Sequence, residues 1–344
     1  MSAFKSIGQL ALLCCVFGAA SAGSEMSGQQ RAHEAGQAML GTPAPRLVLK
    51  TIDGESIDLG ALYGKKAVYL KFWATWCTPC RQQMPHFQHT YSTSGADLAV
   101  IAIDVGMGDS IEAIRNFRNQ TKISMPIVFD DGRLAAAFHL RVTPTHIVIG
   151  RDGRIRYVGH LADAALDAQL LAARSTAAGA VQTAATLDAE SPPIALGDAL
   201  PAQSLRTLDG KRFELRDSSA HSVTALVFLS PWCESYLEST KPDVAANCRN
   251  ARLQVGELAS DPRVRWIGIA SGLWADRADL LDYRSQYKVA IPLTLDATGK
   301  IFRSFRVNEI PTILIADSHG RLVRRVEAGV MPDAKSLRTV LEGL

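Results

Sequence analysis

The sequence has little that would tie it to a membrane or a nucleic acid. Beyond the first 22 residues it lacks any run of 18 apolar residues, which argues against an internal helical membrane span. It lacks a charge of one sign: 37 Lys and Arg face 34 Asp and Glu, and the resulting +3 is too small to argue for nucleic acid or an anionic lipid surface. It lacks a clustered metal-ligand set. His86 and His89 are three apart on one predicted helix, but two surface histidines explain the pair, and His33, His139, His146 and His160 follow no ligand spacing. Cysteine is scarce, six among 344 residues, so each one needs an account. With 47% apolar and 21% charged residues the composition is otherwise that of a globular protein, and the length suits two domains better than one.

What is present begins with an export signal. Lys5 supplies a basic start, Ile7 to Ala20 is largely apolar, and Ala20-Ser21-Ala22 fits a small-x-small cleavage site. The expectation is a signal peptide over residues 1–22 and a periplasmic or otherwise exported mature chain, soluble once the leader is cleaved. An uncleaved anchor helix is the alternative, disfavoured by the shortness of the segment. Cleavage there removes Cys14 and Cys15. It keeps Cys77, Cys80, Cys233 and Cys248, an even set that suits paired cysteines in an oxidising compartment. Ser24 to Gly36 is polar and aperiodic, so residues 23–37 are expected to form a mobile tail.

The rest of the chain is written twice. Thr51-Ile52-Asp53-Gly54 matches Thr207-Leu208-Asp209-Gly210, and from there to Trp76-Cys77 and Trp232-Cys233 the spacing is identical. Later, Pro144-Thr145 matches Pro311-Thr312 and Gly153-Arg154 matches Gly320-Arg321. A period this long is a domain duplication, not a solenoid. The predicted domains are 38–174 and 194–344, joined by a linker over 175–193 that is rich in Ala, Ser, Thr and Pro and has no apolar period. In the first copy Ala67 to Trp73 and Leu98 to Val105 are apolar runs of the buried-strand kind. Ile111 to Asn119 has helical spacing, Ile127 to Phe129 is a short strand, and Leu134 to Phe138 a short helix. Thr145 to Ile149 and Ile155 to Val158 flank the turn signal Asp152-Gly153. This order predicts an α/β fold, with a central mixed β-sheet and helices on both faces.

Trp76-Cys77-Thr78-Pro79-Cys80 ends the first apolar strand, and Val142-Thr143-Pro144-Thr145 opens another, with Pro144 64 residues after Cys80. Together they resemble the thioredoxin-like superfamily. Arg46 to Leu59, a strand pair around Asp53-Gly54, resembles the N-terminal β-hairpin extension of its TlpA/ResA-like and alkyl-hydroperoxide-reductase-like branch. The resemblance implies two tandem thioredoxin-like domains, a redox-active Cys77–Cys80 pair, and a cis Pro144. It also implies that the backbone of Thr143 lies beside the disulfide, where a substrate peptide adds as a strand. The residue chemistry agrees. A two-residue spacer puts both sulfurs on the first turn of a helix, and the helix N-terminus lowers a thiol pKa from ~8.5 toward ~7 or below. Cys77 is then the attacking thiolate and Cys80 the resolving thiol. Pro79 sacrifices no hydrogen bond in a first turn, and Trp76 is expected to be an exposed aromatic that grips a partner. Half of a zinc knuckle is the rival reading, but a second ligand pair is missing. A purely structural disulfide is another, disfavoured by so short a loop.

One helper residue departs from the family. Thioredoxins carry an acid five residues before the Trp-Cys pair, as proton acceptor for the resolving thiol; here that residue is Lys71. A second acid of ResA-like relatives is replaced by Gln83. Two readings of Lys71 stay open: a desolvated amine that modulates the thiols, or a side chain that snorkels to the surface.

The second copy reads Trp232-Cys233-Glu234-Ser235-Tyr236, with Tyr236 in place of the resolving cysteine and Val227 in place of Lys71. It is expected to lack both a dithiol and a nearby charge, but to keep a cis proline at Pro311. About ten extra residues follow, holding Pro242 and Cys248. On an unbroken helix Cys248 would stand ~22 Å from Cys233, beyond disulfide reach. Pro242 offers a helix stop and restart that would allow a disulfide, structural or redox-active. Neither copy has the Pro-x-x-x-Thr-x-x-Cys of a peroxidase.

The expected protein is an exported thiol–disulfide oxidoreductase, a protein-disulfide reductant with no cofactor besides its own disulfide. Its partners would be protein disulfides and a membrane-bound electron donor. The second domain would serve substrate binding or electron relay. A copper metallochaperone or metal-site assembly factor, and a non-catalytic binding module, are the alternatives from other classes.

Overall fold

The two apolar runs with the clearest strand character become the middle strands of two sheets. Ala67–Trp73 and Val223–Leu229 are each seven residues long and buried at every position, which requires cover on both faces. The computed structural model describes residues 27–177, 192–217, 222–327 and 334–343. The leader over 1–22 and residues 178–191 of the expected linker over 175–193 lie outside the described residues.

The first half runs α1 (Gly28–Gln37), β1 (Val48–Lys50), β2 (Ser56–Asp58), α2 (Leu59–Leu62), β3 (Ala67–Trp73), α3 (Thr78–Gln82) and α4 (Met84–Ser92). It continues through β4 (Leu98–Asp104), α5 (Ile111–Thr121), β5 (Ile127–Phe129), α6 (Arg133–Ala137), β6 (Thr145–Ile149), β7 (Ile155–Gly159) and α7 (Ala164–Ser175). The second runs β8 (Ser204–Arg206), β9 (Arg212–Glu214), β10 (Val223–Leu229), α8 (Cys233–Tyr236), α9 (Pro242–Leu258), β11 (Val264–Ser271) and α10 (Arg277–Tyr287). It ends with β12 (Leu293–Asp296), α11 (Lys300–Ser304), β13 (Thr312–Ala316), β14 (Leu322–Val326) and α12 (Ala334–Glu342).

Each half holds a five-stranded mixed sheet of the same order, β5-β4-β3-β6-β7 and β12-β11-β10-β13-β14. The strand that carries the Trp-Cys motif pairs in parallel on one side and antiparallel on the other. A two-stranded antiparallel sheet precedes each, β1-β2 and β8-β9. Its turn hydrogen-bonds to the outer parallel strand, Ile52 N–H to Ile127 O and Leu208 N–H to Leu293 O, both at 2.8 Å. An otherwise open sheet edge is thereby covered. One arginine on the helix that precedes this outer strand pairs with each turn: Arg118 with Asp53 and Arg284 with Asp209, both at 2.6 Å.

The expected mobile tail is a correction. Residues 28–37 form α1, opened by a capping box in which Ser27 and Gln30 exchange side-chain and backbone hydrogen bonds. The helix has no apolar stripe for a periodicity argument to find. Its buried residues are Ala32 and Gly36, and a Cβ on Gly36 would fall 2.5 Å from Val158, so glycine permits contact with β7. Arg31 reaches the far half, 2.9 Å from Asp279 and 3.1 Å from Asp276.

In the second half α8 ends at Tyr236 and α9 restarts with Pro242 in its first turn. The break brings Cys248 back to Cys233, and the two form a disulfide with a Cα separation of 6.3 Å. Closing a loop of this length is worth about 2–4 kcal/mol through the unfolded chain. The double variant Cys233→Ser/Cys248→Ser should therefore lose about that much in chemical denaturation under oxidising conditions, and the difference should vanish when both proteins are unfolded in reductant.

Candidate redox site

Strand β3 delivers its end to the first turn of a helix. Cys77 is the N-cap of α3 and is bonded to Cys80, with a Cα separation of 5.2 Å. The Cys80 N–H points at Cys77 Sγ at 3.3 Å, and Pro79 occupies the first turn, where no hydrogen bond is lost. Both cysteines are buried, 1% and 0% exposed. The Thr143–Pro144 and Ile310–Pro311 peptide bonds are cis.

Behind the pair runs a chain of polar groups. Tyr69 on β3 donates its hydroxyl to His146 Nδ1 at 2.7 Å, which leaves Nε2–H to donate to Gln83 Oε1 at 2.7 Å. Gln83 Nε2 donates to His160 O at 3.1 Å, and His160 Nδ1–H donates to the carbonyl of Pro144 at 2.7 Å. The bond from Tyr69 requires a neutral His146. Burial holds His146 well below the usual histidine range and lowers His160 as well. The chain ties β3, β6, the α3–α4 junction and the cis-proline carbonyl into one unit.

Lys71 sits across from His146 in the sheet and does not snorkel. It is fully buried, its Nζ has no hydrogen-bond partner, and the amine lies 5.4 Å from the centre of the Phe87 ring. Desolvation alone lowers its pKa to about 7.

Trp76 also departs from expectation. It is 6% exposed rather than open, because residues of the second half cover it. Its ring stacks on Trp232 at 5.5 Å and meets Trp274 at 5.1 Å and Tyr236 at 6.3 Å. Its Nε1–H donates to Met107 O at 2.9 Å. Beneath it Asp109 accepts from Thr75 N–H at 2.7 Å and lies 3.6 Å from Lys241 of the second half. Neighbouring Asp104 is pushed well above the usual carboxylate range by burial, with Asp109 adding to the shift.

In the second half Val227 and Tyr236 do replace Lys71 and Cys80, but a charge is close by. Glu234, next to Cys233 and 5% exposed, is held by Arg252 at 2.7 and 2.9 Å. Among the described residues no group of three or more His, Cys, Asp or Glu is arranged to hold a metal ion. Sequence reasoning missed His146, His160, Asp109 and Trp274. His146 was findable, since any register that pairs β3 with the strand after Pro144 sets it near Lys71.

Comparison with known proteins agrees with this geometry. The AhpC/TSA family profile matches residues 40–158. Thiol-disulfide oxidoreductase ResA of Bacillus subtilis (strain 168) is 30% identical over 154 residues, covering 44% of this chain and 81% of that protein. The chain belongs to this thioredoxin-like family. Thioredoxin-like protein YneN of the same bacterium is 35% identical over 117 residues, 34% of this chain and 68% of its own. A thiol:disulfide interchange protein of the thioredoxin family from Chlorobium tepidum TLS, known as a crystal structure, is 26% identical with a TM-score of 0.36, covering 39% of this chain and 97% of its own.

Lys71 gives a pH test. Its folded pKa lies below its unfolded value of 10.5, so the unfolded chain binds more protons between pH 7 and 10.5, and stability rises with pH across that window. Lys71→Met removes the buried amine. It should be the more stable protein at pH 7, by several kcal/mol at most. Its advantage should shrink as urea midpoints are followed toward pH 10, and parallel curves would show that the amine is not desolvated.

Proposed function

We propose that the chain is an exported protein-disulfide reductant of the ResA-like kind, with Cys77 as the attacking thiol and Cys80 as the resolving thiol. The observation that carries the reading is the Cys77–Cys80 disulfide at the start of α3, with a cis proline at position 144 on the adjoining strand. In the reduced protein the Cys77 thiolate attacks one sulfur of a substrate disulfide. A mixed disulfide forms and the other substrate sulfur leaves as a thiolate. Cys80 then loses its proton and attacks Cys77 Sγ. The second substrate thiol leaves, and Cys77–Cys80 closes with two electrons passed to the substrate.

The other assignments follow from that frame. Thr143 and Pro144 present backbone to a substrate chain, and Trp76 forms one wall. Lys71, whose pKa of about 7 leaves a large neutral fraction at pH 7, accepts the proton of Cys80 in place of the acid found in thioredoxins. The two halves are tandem thioredoxin-like domains over 38–174 and 194–344, each led by its hairpin, and the same strand order in both sheets supports this. Residues 1–22 direct export. Among the described residues no helix is long and apolar enough to cross a membrane, and a membrane-bound dithiol donor would re-reduce the site. The second domain contributes to substrate binding, in keeping with its contacts to Trp76 and Thr143.

Insulin reduction with a dithiol donor tests this. Turnover should fall to background in Cys77→Ser, and Cys80→Ser should trap a mixed disulfide through Cys77. The potential of Cys77–Cys80 should lie on the thioredoxin side, about −270 mV; a value near about −120 mV would make the protein an oxidant and sink the reductant reading.

A further inference from the structure

The halves hold each other by one contact used twice. Gly108, three residues before α5, donates its backbone N–H to Asn308 O at 2.6 Å. Trp274, three residues before α10, donates its N–H to Arg141 O at 2.8 Å. Asn308 and Arg141 each stand three residues before a cis proline. Gly108 and Trp274 share one backbone conformation, with φ of 68° and 69°. The reciprocity is that of an isologous interface.

The side chains break the symmetry. A left-handed φ suits Gly108 and is strained for a tryptophan. The indole at 274 is kept there by what it touches. Its Nε1–H donates to Thr143 Oγ1 at 2.9 Å, and its ring lies 5.1 Å from Trp76 and 5.3 Å from Trp232. The Trp274 loop is fastened on both sides. Arg31 pairs with Asp276 and Asp279 just beyond it, and Arg141 reaches Gly272 O at 3.5 Å and the carbonyl of Ala297.

We propose that Trp274 and the 272–276 loop sit as a built-in occupant on the substrate face of the Cys77–Cys80 site, so that a disulfide on a large partner reaches Cys77 only after the loop is displaced. This rests on Cys77 being the attacking thiol. Small reagents pass the loop; bulky ones react in proportion to the open fraction. The loop is thus a selector, favouring partners that offer binding energy to the cis-proline backbone that its departure uncovers, in exchange for the indole.

The test uses the mature chain in a Cys80→Ser background, where Cys77 is a lone thiol and Cys233–Cys248 stays closed. Alkylation of Cys77, located by peptide mass, is timed with iodoacetamide and with a maleimide carried on a long polyethylene glycol. Trp274→Gly, whose glycine suits the backbone, should raise the bulky rate about tenfold or more and the iodoacetamide rate less than about threefold. Arg31→Ala, outside the site, should shift the bulky rate in the same direction by a smaller factor. Equal acceleration of both reagents, or no change in either variant, would overturn the proposal. Insulin turnover by the Trp274→Gly protein with both cysteines intact separates the two readings. Selective alkylation without turnover in any protein removes the reductase and keeps the gate; turnover without selective alkylation does the reverse.

Discussion

The stacking of Trp76 on Trp232 is the contact on which the arrangement of the two halves depends. Both indoles end a buried central strand and precede a cysteine, so their positions are fixed by the two sheets. Trp232 has Trp274 and Tyr236 of its own half against it, and Trp76 meets all three. Facing each other, and joined by Trp274 and Tyr236, they bury apolar area in one cluster, and aromatic pairs of this kind add about 0.5–1.5 kcal/mol each beyond burial. Once that stack is made, the other cross-contacts follow: Gly108 meets Asn308, Trp274 meets Arg141, and Lys241 reaches Asp109. The same stack holds Trp76, the residue before Cys77, so the contact that unites the halves lies beside the buried Cys77–Cys80 pair.

Behind the site a second constraint operates. The low-polarity space between β3 and α4 holds a lysine, two histidines, a tyrosine and a glutamine, and every hydrogen bond among them is satisfied with neutral groups. Lys71 alone has no acceptor. A charged amine there would be unpaired in a dry interior, so the fold shifts its equilibrium toward the neutral form near pH 7. A neutral amine is a base, and this one sits on the strand that leads to Cys77.

The second half, whose sheet has the same strand order as the first, differs from it at the residues around the site. Val227 removes the buried amine, Tyr236 replaces the resolving thiol and joins the aromatic cluster, and Trp274 stands where the first half has Gly108. Cys233 keeps its place after the central strand but is bonded to Cys248 through an insertion the first half lacks. One half thus carries a compact dithiol site. The other supplies its cover.

Much was legible in the sequence because it is encoded locally. Apolar runs gave the central strands, Trp76-Cys77-Thr78-Pro79-Cys80 gave the cysteine pair, and the doubled motifs pointed to two sheets, whose common strand order came from the structure. Pro242 marked the break that lets Cys248 return to Cys233. What the sequence left undecided depends on residues far apart in the chain. Helix α1 was hidden because its buried face is Ala32 and Gly36, which give no apolar period. Trp76 was expected in the open because nothing near it in sequence covers it; its partners lie more than a hundred residues away. Lys71 stood between two readings until β6 and α4 closed around it. The sequence by itself determined the central strands, the doubling of the motifs and the dithiol. Only the packing of one half against the other decided the exposure of the site and what occupies its substrate face, because burial belongs to pairs of surfaces, and a motif read alone contains one surface of the pair.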